Sequence, residues 1–344
     1  MYVKTKLEDI LELHRGYDLP ECERVEGNIP IISSSGYSGV HNDFKCDDEN
    51  VITGRYGTIG EVFYHKGKCW PLNTALYVSD FKGNNAKYIY YLLKCFLKKS
   101  ADGKDKSTVP GVDRNVLHQM KVPFCKNIPT QKQIIKALET VDRKIELNKQ
   151  INDNLQKQLC LIYENMMRNA QYGNVEGTFT IASKLTDVLT GKEDANFASS
   201  KGKYKFFTCS NDTLNCDEYV FDNSAIMIAG NGDFNVKHYS GKFNAYQRTY
   251  VLIPNHKYYG LLYLASLYQI NSFKSASSGS IVKFVTKGDI ENISVFVPKD
   301  ERILNKLNRL LVLQEINQSE NEELSSLRDW LLPMLMNGQA TIED

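Results

Sequence analysis

The sequence predicts an α+β protein written twice: two similar mixed α/β globular domains separated by two long helices that pair as an antiparallel coiled coil. Three observations predict it. The second half echoes the first at an offset of 169 residues, so that Pro129-Thr-Gln-Lys-Gln-Ile134 falls on Pro298-Lys-Asp-Glu-Arg-Ile303. Each echo opens a long run whose apolar residues recur at alternating steps of four and three, the seam of a coiled coil. The stretches between these runs carry short alternating apolar segments bounded by turn residues, the pattern of strands. The expected boundaries are 1–128 for the first domain, 129–170 for the first helix, 171–298 for the second domain and 299–344 for the second helix and tail.

In the first domain, strands are expected at Ile29–Ser33, Val51–Thr53, Glu61–Tyr64 and Ala75–Val78, and a helix at Tyr88–Leu97. Tyr88, Tyr91, Leu92 and Cys95 fall on one face of that helix and read as core. Between two of the strands lies Gly54-Arg-Tyr-Gly-Thr-Ile-Gly60. No Gly-Lys-Ser/Thr follows it, and its glycines are spaced by three and lead into a strand, so neither a P-loop nor a dinucleotide fingerprint is present. The glycines are expected to shape a tight turn that holds Arg55 and Tyr56 outward.

The first long helix has a seam of Ile134, Leu138, Val141, Ile145, Asn148, Asn152, Leu155, Leu159 and Ile162, continuing to Met166. Thr130 with Gln133 reads as its capping box. A helix of about 38 residues would be about 55–60 Å long, against about 34–36 Å for one turn of B-DNA. In the second domain, strands are expected at Lys205–Thr208, Ala225–Ala229, Tyr250–Ile253 and Ile281–Phe284, with a helix at Tyr258–Ile270. The second long helix runs from about Lys299 to Met336 with Ile303, Leu307, Leu310, Asn317, Asn321, Leu324 and Leu331 in its seam, interrupted by Gln314 and Arg328. The asparagines admit two placements. Paired antiparallel, Asn148 and Asn152 would meet Asn317 and Asn321 and fix the register; alternatively Leu147 and Ile151 carry the seam and the amides face solvent.

Composition narrows the function. The chain has 344 residues, 42% of them hydrophobic, with no run of about 18 apolar residues and no signal-like start, so a cytoplasmic location is expected. Its eight cysteines are scattered without a C-x-x-C, which suggests neither a metal site nor a disulfide framework. Net charge is only +1, yet the charge is unevenly spread. Residues 82–126 carry 10 basic against 3 acidic residues, and 237–287 carry 7 basic and none acidic, two blocks suited to a polyanion. No methyltransferase motif and no Asp…Glu-x-Lys nuclease cluster occurs, and the six histidines are isolated in sequence and read as surface residues. No catalytic residue, cofactor or metal is therefore expected.

Reading DNA needs Arg and Lys for guanine edges and phosphates, amides for adenine, and hydroxyls for either, all held on loops. Loops of that kind occur at matching places in both halves. In the first they supply Ser33, Ser34, Ser35 and Tyr37, then Arg55 and Tyr56, then Lys104, Lys106, Ser107 and Thr108, with Arg114 beyond. In the second they supply Thr208, Ser210 and Asn211, then Asn231 of Gly230-Asn-Gly232, then Gln247 and Arg248, and finally Lys274, Ser277, Ser278 and Lys283. A purely structural role stays open for each residue taken singly.

The order of these motifs resembles the DNA-specificity subunits of type I restriction-modification systems. The resemblance covers nearly the whole chain. It is carried by Tyr37-Ser-Gly-Val-His41, Arg55-Tyr-Gly-Thr-Ile-Gly60, Ser107-Thr-Val-Pro-Gly-Val-Asp-Arg114, Val122-Pro123 with Ile128-Pro-Thr-Gln-Lys-Gln-Ile134, and Leu331-Leu-Pro-Met-Leu-Met-Asn-Gly-Gln339. Where the family usually has Glu-Gln before the helix, this chain has Thr130-Gln131 and Asp300-Glu301, and its second half lacks the Gly-Thr-Ile-Gly loop. The resemblance implies two target-recognition domains, each reading half of a bipartite duplex, and a coiled coil that docks methyltransferase subunits, two of them, with restriction and translocase subunits joining. It implies a non-catalytic subunit whose chemistry lies on its partners. A coiled-coil scaffold whose globular ends bind protein is the alternative from another class.

Overall fold

The computed structural model describes residues 2–55, 60–102, 113–232, 234–276 and 284–342, leaving out the side chains of 98–102 and 274–276. Two compact units divide the chain: Met1–Ile145 with Glu322–Asp344, and Glu146–Asn321.

The first unit contains β1 (Tyr2–Lys6), β2 (Glu12–Arg15), β3 (Ile29–Ser33), β4 (Gly36–His41), β5 (Glu49–Gly54), β6 (Val62–Lys66), β7 (Trp70–Pro71), β8 (Ala75–Asp80), α1 (Ala86–Asp102), α2 (Arg114–Gln119) and β9 (Lys121–Cys125), and the start of α3 (Ile128–Gln171). The second contains β10 (Gly177–Ile181), β11 (Thr186–Thr190), β12 (Tyr204–Phe207), β13 (Leu214–Cys216), β14 (Phe221–Ala229), β15 (Val236–Ala245), β16 (Thr249–Pro254), α4 (Tyr259–Ala276), α5 (Lys287–Glu291), β17 (Ser294–Pro298) and most of α6 (Glu301–Met336).

The same topology occurs in both. In the first unit the sheets run β2-β8-β5-β6 and β4-β3-β7, with β1 paired to β9; in the second a single sheet runs β11-β16-β14-β15-β12-β13, with β10 paired to β17. Strand β15 is the counterpart of β6 and β7 together. The first unit breaks the strand at the turn through Gly67, whose φ is 104°, whereas Gly241, at φ 136°, is carried inside β15. Both glycines sit where other residues would be strained.

Period-two alternation explains the continuous apolar runs of the central strands, because both faces of each sheet are covered. Along β14, Ile226 and Ile228 join the large core under α4, while Ala225 and Met227 face a second cluster around Phe207 and Phe243. In β5, Val51 and Ile52 divide in the same way. Tyr88, Tyr91, Leu92 and Cys95 are all buried in the first unit's core. The expected strands coincide with β3, β5, β6 and β8 and with β12, β14 and β16, although β6 starts at Val62 and not at Glu61, and β12 ends at Phe207 and not at Thr208. Of Ile281–Phe284 only Phe284 is among the described residues, bridging to Asn231.

Helices α3 and α6 pair within each unit. In the second, Leu159 and Met166 of α3 pack in one core with Leu304, Leu307 and Leu311 of α6. The amides lie in this interface. Asn148 Nδ2 donates to Asn321 Oδ1 (3.0 Å) and Glu320 Oε2 (2.7 Å), and Asn317 Nδ2 donates to Asn152 Oδ1 (2.8 Å). Pairing of 148 with 321 and of 152 with 317 is an antiparallel register. Leu147 and Ile151, which the alternative placement would bury, are 44% and 46% exposed. In the first unit Ile134, Leu138 and Ile145 are buried on α3, Leu332, Leu335 and Met336 on α6, and Leu331 is half-buried.

Three features differ from the sequence expectation. The cap of α3 is Asn127, whose Oδ1 accepts from Thr130 N (3.0 Å) and Oγ1 (3.2 Å), so Thr130 lies inside the helix and the Thr130–Gln133 capping box is not its start. The helix runs from Ile128 to Gln171, 44 residues against the expected length of about 38, and passes the expected bounds of 129–170 by one residue at each end. On α6 the fully buried stripe runs through Leu304 and Leu311, one residue beyond the half-buried Ile303 and Leu310. The two polar interruptions are matched across the pair. Gln314 Nε2 donates to Asn152 O (3.0 Å), and Arg328 Nη1 donates to Asp142 Oδ1 (3.1 Å), a carboxylate that also accepts from Tyr91 OH (2.8 Å).

Candidate nucleic-acid interface

Three connections converge at one end of the sheet in each unit: β3–β4, β5–β6 and β7–β8 in the first, and β12–β13, β14–β15 and β15–β16 in the second. The strand registers match Thr53↔Val62 with Ile228↔Val236 and Gly54↔Ala75 with Ala229↔Thr249, which aligns the two loop sets residue by residue.

The backbone that holds these loops is the same in both. Arg55 N donates to Thr74 O (2.9 Å), and at the matching position Gly230 N donates to Arg248 O (2.9 Å). Leu72 N to Ile32 O (2.9 Å) matches Tyr246 N to Phe207 O (2.9 Å); Asn73 N to Tyr17 O (3.0 Å) matches Gln247 N to Glu193 O (2.9 Å). Gly16 N to Ala75 O matches Gly191 N to Thr249 O, both at 3.0 Å. These last two glycines are required by close approach. A Cβ on Gly16 would stand 2.1 Å from Leu72 O, and one on Gly191 2.1 Å from Ala245 O.

On this shared frame the side chains differ. Position by position, Arg55 stands where the second unit has Gly230, Asn73 where it has Gln247, and Thr74 where it has Arg248. Each frame carries one arginine, on different turns. Gly54 thus corresponds to Ala229, and Gly230-Asn-Gly232 begins one residue further along the turn.

The candidate residues fall out unevenly. Ser35 and Tyr37 are exposed, and Tyr37 OH lies 3.1 Å from His65 Nδ1. Ser34 is half-buried, its N–H facing Thr74 Oγ1 (3.4 Å). Ser33 is only 8% exposed, and its hydroxyl is turned inward to Ser35 Oγ and Gly36 O (both 3.1 Å), so it shapes the hairpin and is not presented on its surface. Arg55 and Asn231 are half-buried; Ser210, Asn211, Gln247 and Arg248 are exposed, and Thr208 is half-buried. Arg114 is exposed at the start of α2, behind the N-cap Asp113, and α2 is not one of the converging turns. Tyr56, Lys104, Lys106, Ser107, Thr108, Ser277, Ser278 and Lys283 lie outside the described residues, as does the side chain of Lys274.

Sequence reasoning selects Gln247 and Arg248 and passes over their counterparts Asn73 and Thr74. A two-residue β7 leaves no alternation to read. It also places the histidines on the surface, whereas His41 is 7% exposed and accepts from Val25 N (3.1 Å), and His238 Nδ1 lies 3.0 Å from Glu315 Oε1. Glu315 also accepts from Tyr259 OH (2.6 Å), tying β15 and α4 to α6 within the second unit. Among the described residues there is no group of three His, Cys, Asp or Glu side chains able to hold a metal, and no helix long and apolar enough to cross a membrane.

Comparison with known proteins agrees with the duplicated frame. The specificity subunit of the type I restriction enzyme EcoDI of Escherichia coli is 38% identical over 167 residues, 46% of this chain and 38% of that protein's length. The match thus spans well under half of the relative. Among solved structures, the S subunit of a type I restriction-modification system from M. genitalium has the same fold, with a TM-score of 0.64 over 98% of this chain and 96% of that one at 18% identity. The model of the type I restriction modification DNA specificity domain matches twice, at residues 2–157 and 173–326, once on each repeat. The chain belongs to the type I restriction-modification DNA specificity family.

Proposed function

We propose that this chain is the non-catalytic, sequence-reading subunit of a type I restriction-modification complex. Each unit contacts one half of a bipartite duplex through its three converging loops. The paired helices dock two methyltransferase subunits, which carry the chemistry, and restriction and translocase subunits complete the assembly.

One observation carries the reading: a single backbone frame occurs twice with different side chains on it. Two half-sites of the same duplex present the same phosphate geometry and different base edges, so a reader of both needs one scaffold and two sets of letters. Arg55 and Arg248, on neighbouring turns of that scaffold, are the groups best suited to a guanine edge. The helices add a second support. Leu161, Leu313 and Ile316 in the second unit, and Leu327 and Trp330 in the first, are 39–63% exposed on α3 and α6, apolar surface suited to partner subunits. The candidates near 104–108 and 274–283 extend the same proposal.

The test is binding of the chain, assembled with its methyltransferase, to duplexes altered in one half-site at a time. Arg55→Ala is expected to weaken discrimination at one half-site and Arg248→Ala at the other, each by about 1–3 kcal/mol for a base contact, or to flatten the salt slope by about one for a phosphate contact. Loss of binding to duplex DNA at every salt concentration, with partner binding intact, would favour the protein scaffold instead.

A further inference from the structure

We infer that Lys237 is a positioning residue that sets the shape of the second unit's β12–β13 loop, and thereby what that loop reads; this rests on the DNA-reading role proposed above. Its Nζ donates to Ser210 O, with Thr208 O and Asp212 O each at 3.5 Å, so one ammonium gathers three carbonyls of a single loop. The same ammonium lies 6.0 Å from the centre of the Phe207 ring, at the base of the loop. Asn235, two residues earlier, donates from Nδ2 to Cys209 O (2.8 Å), the one carbonyl between Thr208 and Ser210 that the lysine leaves. Four carbonyls across Thr208–Asp212 are thus held from β15 and the residue just before it, while Ser210 and Asn211 remain exposed.

The first unit shows what this position does. Lys237 pairs with Met227 as Phe63 pairs with Ile52, so Phe63 and Lys237 occupy the same place in the two sheets. Phe63 lies against the tip of the β3–β4 hairpin: a Cβ added to Gly36 would meet its ring at 3.2 Å. That hairpin is tight, with only Ser34 and Ser35 between its strands. The second unit spans Thr208–Thr213 between β12 and β13, and the longer loop turns its carbonyls back toward the sheet. A phenyl ring props a short turn; an ammonium collects a longer one. Burial pulls the lysine below its usual range, consistent with a group taken out of water by the loop it holds.

The experiment compares the wild type, Lys237→Met and Lys237→Arg, each assembled with the methyltransferase. It follows amide hydrogen exchange at 208–212 and discrimination at each half-site. Lys237→Met keeps the aliphatic stem and removes the donors. It should speed exchange across 208–212 and cut discrimination at the second unit's half-site about tenfold, leaving the other half-site unchanged, with Lys237→Arg restoring part of both. Unchanged exchange in Lys237→Met would overturn the positioning role. Faster exchange with discrimination intact would show that the loop does not read, and would equally overturn it. A wild type that discriminates at neither half-site would instead refute the DNA-reading proposal, and with it the reading assigned to this loop.

Discussion

Asn308 offers a direct measure of how firmly the second globular part is fixed to its helix. Its side chain is 6% exposed and makes three hydrogen bonds: Oδ1 accepts from Gly260 N (2.8 Å), and Nδ2 donates to His256 O (2.8 Å) and Lys257 O (3.0 Å). Gly260 is the second residue of α4, so its N–H is one of the amides a helix start leaves without an internal partner. Asn308 therefore caps α4 from a different helix. The approach is close enough to require glycine, since a Cβ at 260 would lie 2.9 Å from the Leu307 carbonyl carbon. Replacing Asn308 by Leu deletes three bonds worth about 1 kcal/mol each and strands a buried donor, offset in part by the added apolar surface, for a net loss of about 2–4 kcal/mol. Hydrogen exchange should show it as about 30- to 1,000-fold faster exchange in the first turns of α4 and along 301–311. Both tryptophans, Trp70 and Trp330, belong to the first unit, so fluorescence-monitored unfolding of that unit supplies an internal control. Exchange within about threefold of wild type, a difference of roughly 0.6 kcal/mol, would refute the bracing role.

Two further outcomes are expected. Gly16→Ala and Gly191→Ala each force a Cβ to 2.1 Å from a backbone carbonyl oxygen and should cost about 3 kcal/mol or more, each loosening only its own unit in limited proteolysis. His118 Nε2 accepts from Leu13 N (3.0 Å), and burial followed by the charge of Arg114 holds its pKa below the usual value, so the folded state prefers neutral imidazole. Its contribution is present above the unfolded value of about 6.5 and is lost as pH falls through that value toward the folded one. The fluorescence midpoint of the first unit should therefore drop on acidification, and less steeply in His118→Gln.

What could be read from the sequence was whatever depended on local periodicity. The heptads of α3 and α6 appear as steps of four and three, and the two apolar faces of β5 and β14 as unbroken runs. The helix start was misplaced because Asn127 and Thr130 are equally plausible caps, and only packing against Cys125, whose carbonyl accepts from Gln131 Nε2 (2.7 Å), selects the earlier one. The pairs β1–β9 and β10–β17 join segments more than 100 residues apart, and nothing within either strand announces its partner. The candidate interface suffered most. The candidate loops follow one another in the same order in both halves, but sequence order alone does not reveal that Gly54 corresponds to Ala229 and Arg55 to Gly230. The shared frame is made of backbone hydrogen bonds, which no side-chain letter records, and so the exchange of arginine between turns was visible only in three dimensions.

The division of the chain also bears on its manufacture. The second unit is a single uninterrupted stretch, complete once Asn321 has left the ribosome, whereas the first unit's core includes Leu332, Leu335 and Met336. Tyr2 donates its hydroxyl proton to Leu335 O (2.5 Å), joining the two separate stretches of the first unit. Of the two units, the one whose translation starts first is therefore the last to close, and its core stays unfinished while the other unit folds. A stop codon shortly after Asn321 would leave the later-made unit whole and the earlier-made one open.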